Sequence, residues 1–113
     1  MKRITNREQL MHFIKRADRM VKVYGWGDKV THPYPGVPMK VTEILDECRD
    51  YDKCTPGSQC YLISLADGLR RIMEAWERYE LAPKVTVRIK KSGKTTMILK
   101  DDLDMFEDLV EVI

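Results

Sequence analysis

Three cysteines stand at equal intervals in the middle of the chain: Cys48, Cys54 and Cys60, in the pattern C-x5-C-x5-C. Thiolates bind zinc, but zinc sites usually take two of them from one tight turn, spaced C-x2–4-C, because both must reach one ion about 2.3 Å away. Five intervening residues fit that geometry poorly, and His12 or His32 would have to complete the shell. We therefore predict free thiols in a reducing compartment, with no metal and no cofactor.

Another chemical pattern is the segment 92–96, SGKTT, which resembles the end of the phosphate-binding loop G-x4-G-K-[ST]. The first glycine of that motif is missing, because Arg88 occupies its position. A phosphate-binding loop also needs a helix directly after it, whose N-terminus meets the phosphate. The residues on both sides alternate as strands do, so we interpret the segment as a hairpin turn.

The ingredients of a catalytic pair are present without a motif that joins them. The histidines, His12 and His32, lie on the flank of a predicted helix and in a proline-rich loop. A cysteine nucleophile and a histidine base somewhere in one chain are a common coincidence. With 18 Asp and Glu residues, two carboxylates can always be nominated for acid–base work. We name no catalytic residue and expect a non-catalytic protein.

Charge is distributed unevenly along a chain whose net charge is only +2. Residues 1–40 carry nine basic and three acidic side chains, and residues 41–80 carry five and nine. Residues 84–100 carry six basic and no acidic side chains, whereas residues 101–113 carry six acidic and no basic ones. Segments of one sign attract oppositely charged partners. Neighbouring segments of opposite sign also neutralise each other when they pack together.

The length and composition predict one compact domain over residues 1–113. A chain of 113 residues with 43% hydrophobic and 34% charged side chains can form one modest core below a well-hydrated surface. No run approaches the roughly 18 apolar residues of a membrane span. No apolar stretch follows the charged N-terminus, as a secretory signal would require. We expect a cytoplasmic protein that does not contact a membrane.

Apolar spacing predicts the helices of an α+β fold. A capping pattern followed by apolar residues at i, i+3, i+4 and i+7 predicts a helix over about 6–19. Alternation predicts a short strand near 21–24. A short helix is predicted over about 42–51, and a long apolar stripe predicts a helix over about 57–80.

The remaining segments complete the predicted architecture. The alternating pattern of residues 84–100 predicts a β-hairpin. The acidic segment after residue 100 is predicted to form a last helix, capped by Asp101 or Asp102. Residues 25–38, rich in Gly, Pro and aromatic residues, are expected to form an irregular loop. We expect the long helix to pack across a small, mainly antiparallel sheet made of the hairpin and the strand near 21–24. The N- and C-terminal helices would complete the layer.

A protein partner is the function that the surface residues favour. Aromatic side chains on an irregular loop bordered by charge are typical of interface anchors, and the loop carries Trp26 and Tyr34. The alternative is that Trp26 and Tyr24 close one end of the core. The last helix would present acidic side chains to a basic groove, as a mimic of nucleic acid would. These candidate partner-binding residues are Asp101, Asp102, Asp104, Glu107, Asp108 and Glu111.

Nucleic-acid binding is the alternative function. The hairpin would carry a basic ladder, whose contacts with phosphates give affinity that depends on salt and not on sequence. Against it, the isoelectric point of about 8.4 is below the value of roughly 9 that is typical of such domains. Lysines on a strand also protect a sheet edge from pairing. The candidate residues are Lys84, Arg88, Lys90, Lys91 and Lys94.

No family motif is recognisable in the chain. In its size, its lack of catalytic motifs and its segments of opposite charge, it looks like the small inhibitors that phages and mobile elements encode, anti-CRISPR proteins among them. That likeness is one of profile and covers no motif. It implies an inhibitor of a host nucleic-acid-processing complex.

Overall fold

The computed structural model describes residues 3–34 and 36–113. The fold class is α+β, as predicted, with a long central helix and small antiparallel sheets. Contacts group the chain into two compact units, Met1–Ala75 and Trp76–Ile113. The organisation of residues 1–113 as one domain stays a prediction.

The first helix, α1, spans Arg7–Tyr24 and is longer than predicted. Asn6 caps its first turn, and Gly25, at φ +70°, ends it by donating its backbone N–H to the carbonyl of Val21. The predicted strand near 21–24 is therefore wrong. Alternating apolar residues at the end of a helix imitate a strand, and the left-handed glycine after them sets the true boundary.

Short strands and a helix follow α1. Strand β1, Val30–Thr31, pairs antiparallel with β2, Met39–Lys40, so the predicted loop at 25–38 includes strand β1. Helix α2 spans Val41–Arg49 and confirms the helix predicted over 42–51. It buries Val41, Ile44, Leu45 and Cys48, which lie on one face at helical spacing.

The long helix, α3, spans Pro56–Leu81 and confirms the prediction over 57–80. Proline at its first position suits a helix start, because the missing N–H would have no partner within the helix. Its buried stripe supplies much of the core of the first unit. That stripe consists of Leu62, Leu65, Ala66, Leu69 and Met73.

A close approach between backbones fixes the loop after β1 on α3. Pro33 is buried, and the backbone nitrogen of Tyr34 lies so near Gly68 that a Cβ added there would be 2.6 Å from it. The same Cβ would be 3.2 Å from the Cβ of Pro33. Only glycine at position 68 lets the loop lie directly on the helix.

The second unit is built on an antiparallel sheet in the order β4-β3-β5. Strands β3, Lys84–Ile89, and β4, Thr95–Leu99, confirm the predicted hairpin. The SGKTT segment lies in and after its turn, where Gly93 adopts φ +72° and donates its N–H to the carbonyl of Ile89 at 2.7 Å. The interpretation of this segment as a hairpin turn is confirmed.

The predicted last helix is wrong. Residues Lys100–Asp102 and Asp104–Phe106 form single 3-10 turns, and strand β5, Val110–Val112, pairs with β3. Carboxylates four residues apart, such as Asp104 and Asp108, repel each other on a helix. Pairing with β3 instead satisfies the backbone of the segment and places Val110 and Val112 beside apolar residues of β3.

We predict that Gly68→Ala lowers the free energy of unfolding by about 2 kcal/mol, because the added methyl group must displace the loop backbone. The matched control is Gly57→Ala in the first turn of the same helix, where an added Cβ meets nothing within 4 Å. Its stability should be unchanged or slightly raised. Urea unfolding of both variants measures this, and equal stabilities would contradict the described loop contact.

Candidate functional site

The structural centre of the first unit is the carboxylate of Asp67 on α3. This residue is only 6% exposed. Its Oδ1 accepts hydrogen bonds from the backbone N–H of Ile4 and from Nε of Arg70, each at 3.0 Å. Its Oδ2 lies 3.3 Å from Nη2 of Arg71 and 3.9 Å from Nε of Arg3. One carboxylate thus joins the N-terminal segment to the middle of the long helix.

Electrostatics keep this carboxylate ionised. Burial by itself would raise the pKa of Asp67, but the hydrogen bonds from Ile4 and Arg70, together with the charges of Arg70 and Arg71, outweigh burial and lower the pKa. For Arg70, burial acts to lower the pKa, and its bonds to Asp67 and Glu74 raise it overall. The second of these bonds joins Nη1 of Arg70 to Oε2 of Glu74 at 3.0 Å. The cluster is therefore a charged network with fixed geometry.

A cleft of about 330 Å³ lies beside this network. Residues of α3 spaced three and four apart form its floor, and residues of the N-terminal segment and of the loop after β1 form its sides. The lining residues are Arg3, Ile4, Tyr34, Ile63, Ser64, Asp67, Gly68 and Arg71. A second cleft of about 460 Å³ shares Arg3, Ile4, Ile63 and Ser64 with the first. Sequence reasoning did not find this site.

The loop aromatics predicted to bind a partner have different positions. Trp26 is 1% exposed and stacks on Tyr24 with the ring centroids 4.6 Å apart, so it belongs to the core and offers no surface to a partner. The alternative considered from the sequence, that these two rings close one end of the core, agrees with this placement. Tyr34 is 69% exposed and lies at the rim of the first cleft.

The predicted acidic candidates lie in the 3-10 turns, in the segment after them and in β5. Asp102 is half-buried, and the other acidic candidates are exposed. Glu111 is directly opposite Arg88 in the β3–β5 ladder, and Lys90 donates its backbone N–H to the carbonyl of Leu109 at 3.0 Å. Strand β5, at the end of the acidic segment, thus lies beside the basic strand β3 in one sheet. Their charges partly neutralise each other where Glu111 faces Arg88.

The predicted basic ladder is divided between two roles. Nζ of Lys84 donates to the carbonyls of Glu80 at 3.1 Å and Ala82 at 3.4 Å, and lies 4.7 Å from the centre of the Tyr79 ring. Lys84 therefore closes the C-terminal end of α3, where carbonyls attract a cation. The other candidates, Arg88, Lys90, Lys91 and Lys94, are exposed.

The register of the sheet separates an apolar face from an exposed one. Residues directly opposite each other share a face, so Val85, Val87 and Ile98 lie together, and Val87 is fully buried. The other face carries Met97 opposite Thr86, and Ile113 extends the row by donating its N–H to the carbonyl of Thr86 at 3.2 Å. Met97 and Ile113 are 55% and 64% exposed.

The cysteines are free thiols in different environments, and their order of reactivity follows from burial. Cys48 is buried, and burial raises the pKa of its thiol to about 12. Cys54 is half-buried and donates to the carbonyl of Asp50 at 3.3 Å. Cys60 is exposed and lines the second cleft. The thiolate is the reactive form, so a buried thiol with a raised pKa is inert.

We predict that Asp67→Asn lowers the free energy of unfolding at pH 7 by about 2 kcal/mol, because Arg70 loses its buried counter-charge while the amide oxygen still accepts from Ile4. The folded-state pKa of Asp67 is depressed, so its stabilisation is complete above the unfolded-state pKa of roughly 3.9 and is lost as pH falls through the folded-state value. The difference between wild type and variant should therefore shrink below about pH 4.

The control for this prediction is Asp52→Asn, which removes an exposed ion pair with Arg7 at 2.7 Å. Its effect on stability should be much smaller, because solvent screens exposed pairs. Urea unfolding from pH 7 to pH 3 measures both variants. A loss for Asp67→Asn that stays constant over this range would show that the carboxylate charge is not what stabilises the fold.

We predict that a thiol-specific reagent labels Cys60 rapidly and Cys54 more slowly in the native protein, and labels Cys48 only after unfolding. Absorbance of the released thiolate, followed in the wild type and in single Cys→Ser variants, assigns each phase. Rapid labelling of Cys48 in the native protein would contradict the burial of its side chain.

No protein-family model matches the sequence, and searches of curated proteins and of solved structures found no match either. Within residues 3–34 and 36–113, no group of three or more His, Cys, Asp or Glu side chains is placed to hold a metal ion. In the same part of the chain, no helix combines the length and the apolar character needed to cross a membrane.

Proposed function

We propose that this chain is a non-catalytic binding protein that docks on a partner protein with a basic surface, using its C-terminal unit. The observation that carries the proposal is the exposure of large apolar side chains between acidic ones. Met105 is 75% exposed and Leu109 61%. They alternate along the chain with the carboxylates of residues 101–111.

Such a mixture supports association better than either component alone. Burying an exposed Leu, Val or Met side chain contributes roughly 1.5–3 kcal/mol to a contact. Carboxylates around these side chains orient the partner and speed its approach, and they do so most strongly when the partner is basic. Residues 101–113 contain no basic side chain, so this charge complementarity selects the occupant.

The exposed sheet face extends the proposed surface. Met97 and Ile113 lie on this face in the same row, separated by the strand that carries Thr86. Neighbouring strands are about 4.8 Å apart, so their side chains fall within roughly 10 Å of each other. A partner that contacts both covers apolar area in the same unit as the acidic turns.

Inhibition follows from the same chemistry. Carboxylates displayed at intervals resemble the phosphates of a nucleic acid in charge, and a partner whose basic groove holds nucleic acid would be blocked when this chain occupies it. Docking on such a partner would account for the inhibitor profile of the sequence.

A second candidate function is supported by one feature, the tip of the hairpin. Lys90, Lys91 and Lys94 are exposed there within a few residues, which suits contact with phosphates. Arg88 and Lys84 contribute less, because one faces Glu111 and the other closes the end of α3. Nucleic-acid binding is therefore a competing outcome of the experiment that follows.

The test compares Asp104→Lys/Asp108→Lys with Lys91→Glu/Lys94→Glu as the matched charge-reversal control. All four residues are exposed, so we expect both variants to keep the wild-type melting temperature. Each tagged protein is used to capture partners from the native host, and the partner retained by the wild type is purified and its affinity measured at roughly 50 and 200 mM salt.

We expect Asp104→Lys/Asp108→Lys to raise the Kd for the partner by roughly ten-fold or more, and Lys91→Glu/Lys94→Glu to leave it unchanged. We also expect the purified partner to release its nucleic acid when the wild-type chain binds. Retention of the partner by Asp104→Lys/Asp108→Lys contradicts the proposal. Direct binding of DNA or RNA that is abolished by Lys91→Glu/Lys94→Glu would replace it with the second candidate.

A further inference from the structure

We infer that the cleft beside Asp67 binds a nucleotide 5′-phosphate, with the phosphate held by Arg3 and Arg71 and the base placed against Tyr34. This site belongs to the first unit, whereas the acidic surface proposed above belongs to the second. Three features support it: the charge of the cluster, the side chains of α3 that form its floor, and the exposed ring at its rim.

The charge of the cluster suits an anion. Oδ1 of Asp67 is occupied by Ile4 and Arg70, and its Oδ2 faces the guanidiniums of both Arg71 and Arg3. Arg71 is 67% exposed and Arg3 is 75% exposed, so both side chains are accessible to a ligand. The cluster contains three arginines and two carboxylates, so one positive charge is in excess. These side chains are Arg3, Arg70, Arg71, Asp67 and Glu74. This excess attracts a phosphate monoester, which carries roughly −1.5 to −2 charges at pH 7, and the guanidiniums of Arg3 and Arg71 can donate to its oxygens.

The floor of the cleft is already shaped. Ser64, Asp67, Gly68 and Arg71 all line it, and their spacing of three and four places them on one face of α3. Gly68 lets the loop backbone at Tyr34 lie directly on α3 and so places Tyr34 beside the cleft. Ser64 adds a hydroxyl that can donate to a phosphate oxygen. Asp67 restrains Arg71 before any ligand arrives, so less side-chain freedom is lost on binding.

The rim of the cleft suits a planar ring. Tyr34 lines the cleft with 69% of its surface exposed, so its ring is accessible to a planar ligand that enters the cleft. Stacking of a base on an aromatic ring contributes roughly 1–3 kcal/mol and tolerates any base. Ile4 and Ile63 provide apolar surface beside it.

The size of the cleft fits a small ligand or the end of a strand. Its volume of about 330 Å³ lies at the lower end of the range for small-molecule sites. The adjoining cleft of about 460 Å³ continues past Ser64 towards Gln59 and Tyr51. A free nucleotide would fill the first cleft, and a 5′-phosphorylated single strand would continue into the second.

The test titrates the ¹⁵N-labelled protein with a nucleoside 5′-monophosphate, its nucleoside, inorganic phosphate and a short 5′-phosphorylated oligonucleotide, and records amide shifts. We expect the nucleotide to bind with submillimolar Kd and to shift the amides of residues 63–71, and the nucleoside to bind far more weakly. Arg71→Gln should weaken binding by roughly ten-fold, because a charge-assisted pair is lost. Arg19→Gln, which changes an exposed arginine of α1 outside the cleft, is the control and should bind normally.

Tyr34→Ala separates the contributions of ring and phosphate. This variant should bind the nucleotide roughly ten-fold more weakly and should bind inorganic phosphate with unchanged affinity. An oligonucleotide that binds more tightly than the nucleotide identifies a strand end as the ligand, and equal affinity identifies the free nucleotide. Absence of shifts at millimolar nucleotide, or equal binding by wild type and Arg71→Gln, overturns the inference.

Discussion

The buried, ionised carboxylate of Asp67 is the constraint on which the first unit depends. A charge in the interior is tolerated only when its lone pairs are satisfied and an opposite charge lies close. The Ile4 amide and Arg70 meet that demand, and in doing so they attach the N-terminal segment to α3. The second oxygen of Asp67 forms an ion pair with Arg71 and lies near Arg3. The buried carboxylate therefore also brings together the two arginines that line the cleft.

Hydrophobic periodicity was sufficient to predict the long elements that bury one face. The stripe of α3 and the alternation of the hairpin both gave nearly correct bounds, because each buries one face. The predictions for short segments were wrong, because a few apolar residues fit the period of a helix as well as that of a strand. Residues 21–24 became helix because Gly25 ends α1 after them. Residues 110–112 became a strand because β3 offered a free edge, which no local pattern reveals.

The candidate sites were predictable to different degrees. The acidic segment was recognised from charge alone, because adjacency in the chain is enough to define it. The cleft could not be, since Arg3, Tyr34 and Asp67 are each more than 30 positions apart and only the fold brings them together. One signal was present: Ser64, Asp67, Gly68 and Arg71 are polar or small residues at spacings of three and four, which places them together on α3 beside its apolar stripe. Trp26 was misplaced because loop aromatics in a sequence look alike whether they face solvent or the core.

The titration of Asp67 is the most direct test of this account. Carboxyl carbon shifts of ¹³C-labelled protein, followed from pH 7 to pH 2, report its pKa without any substitution. We predict a midpoint clearly below the ordinary pKa of roughly 3.9, because the hydrogen bonds from Ile4 and Arg70 are strongest when the carboxylate is ionised and so outweigh its burial. A midpoint at or above the ordinary value would contradict it, since burial would then dominate and the carboxylate could not organise the arginines around it.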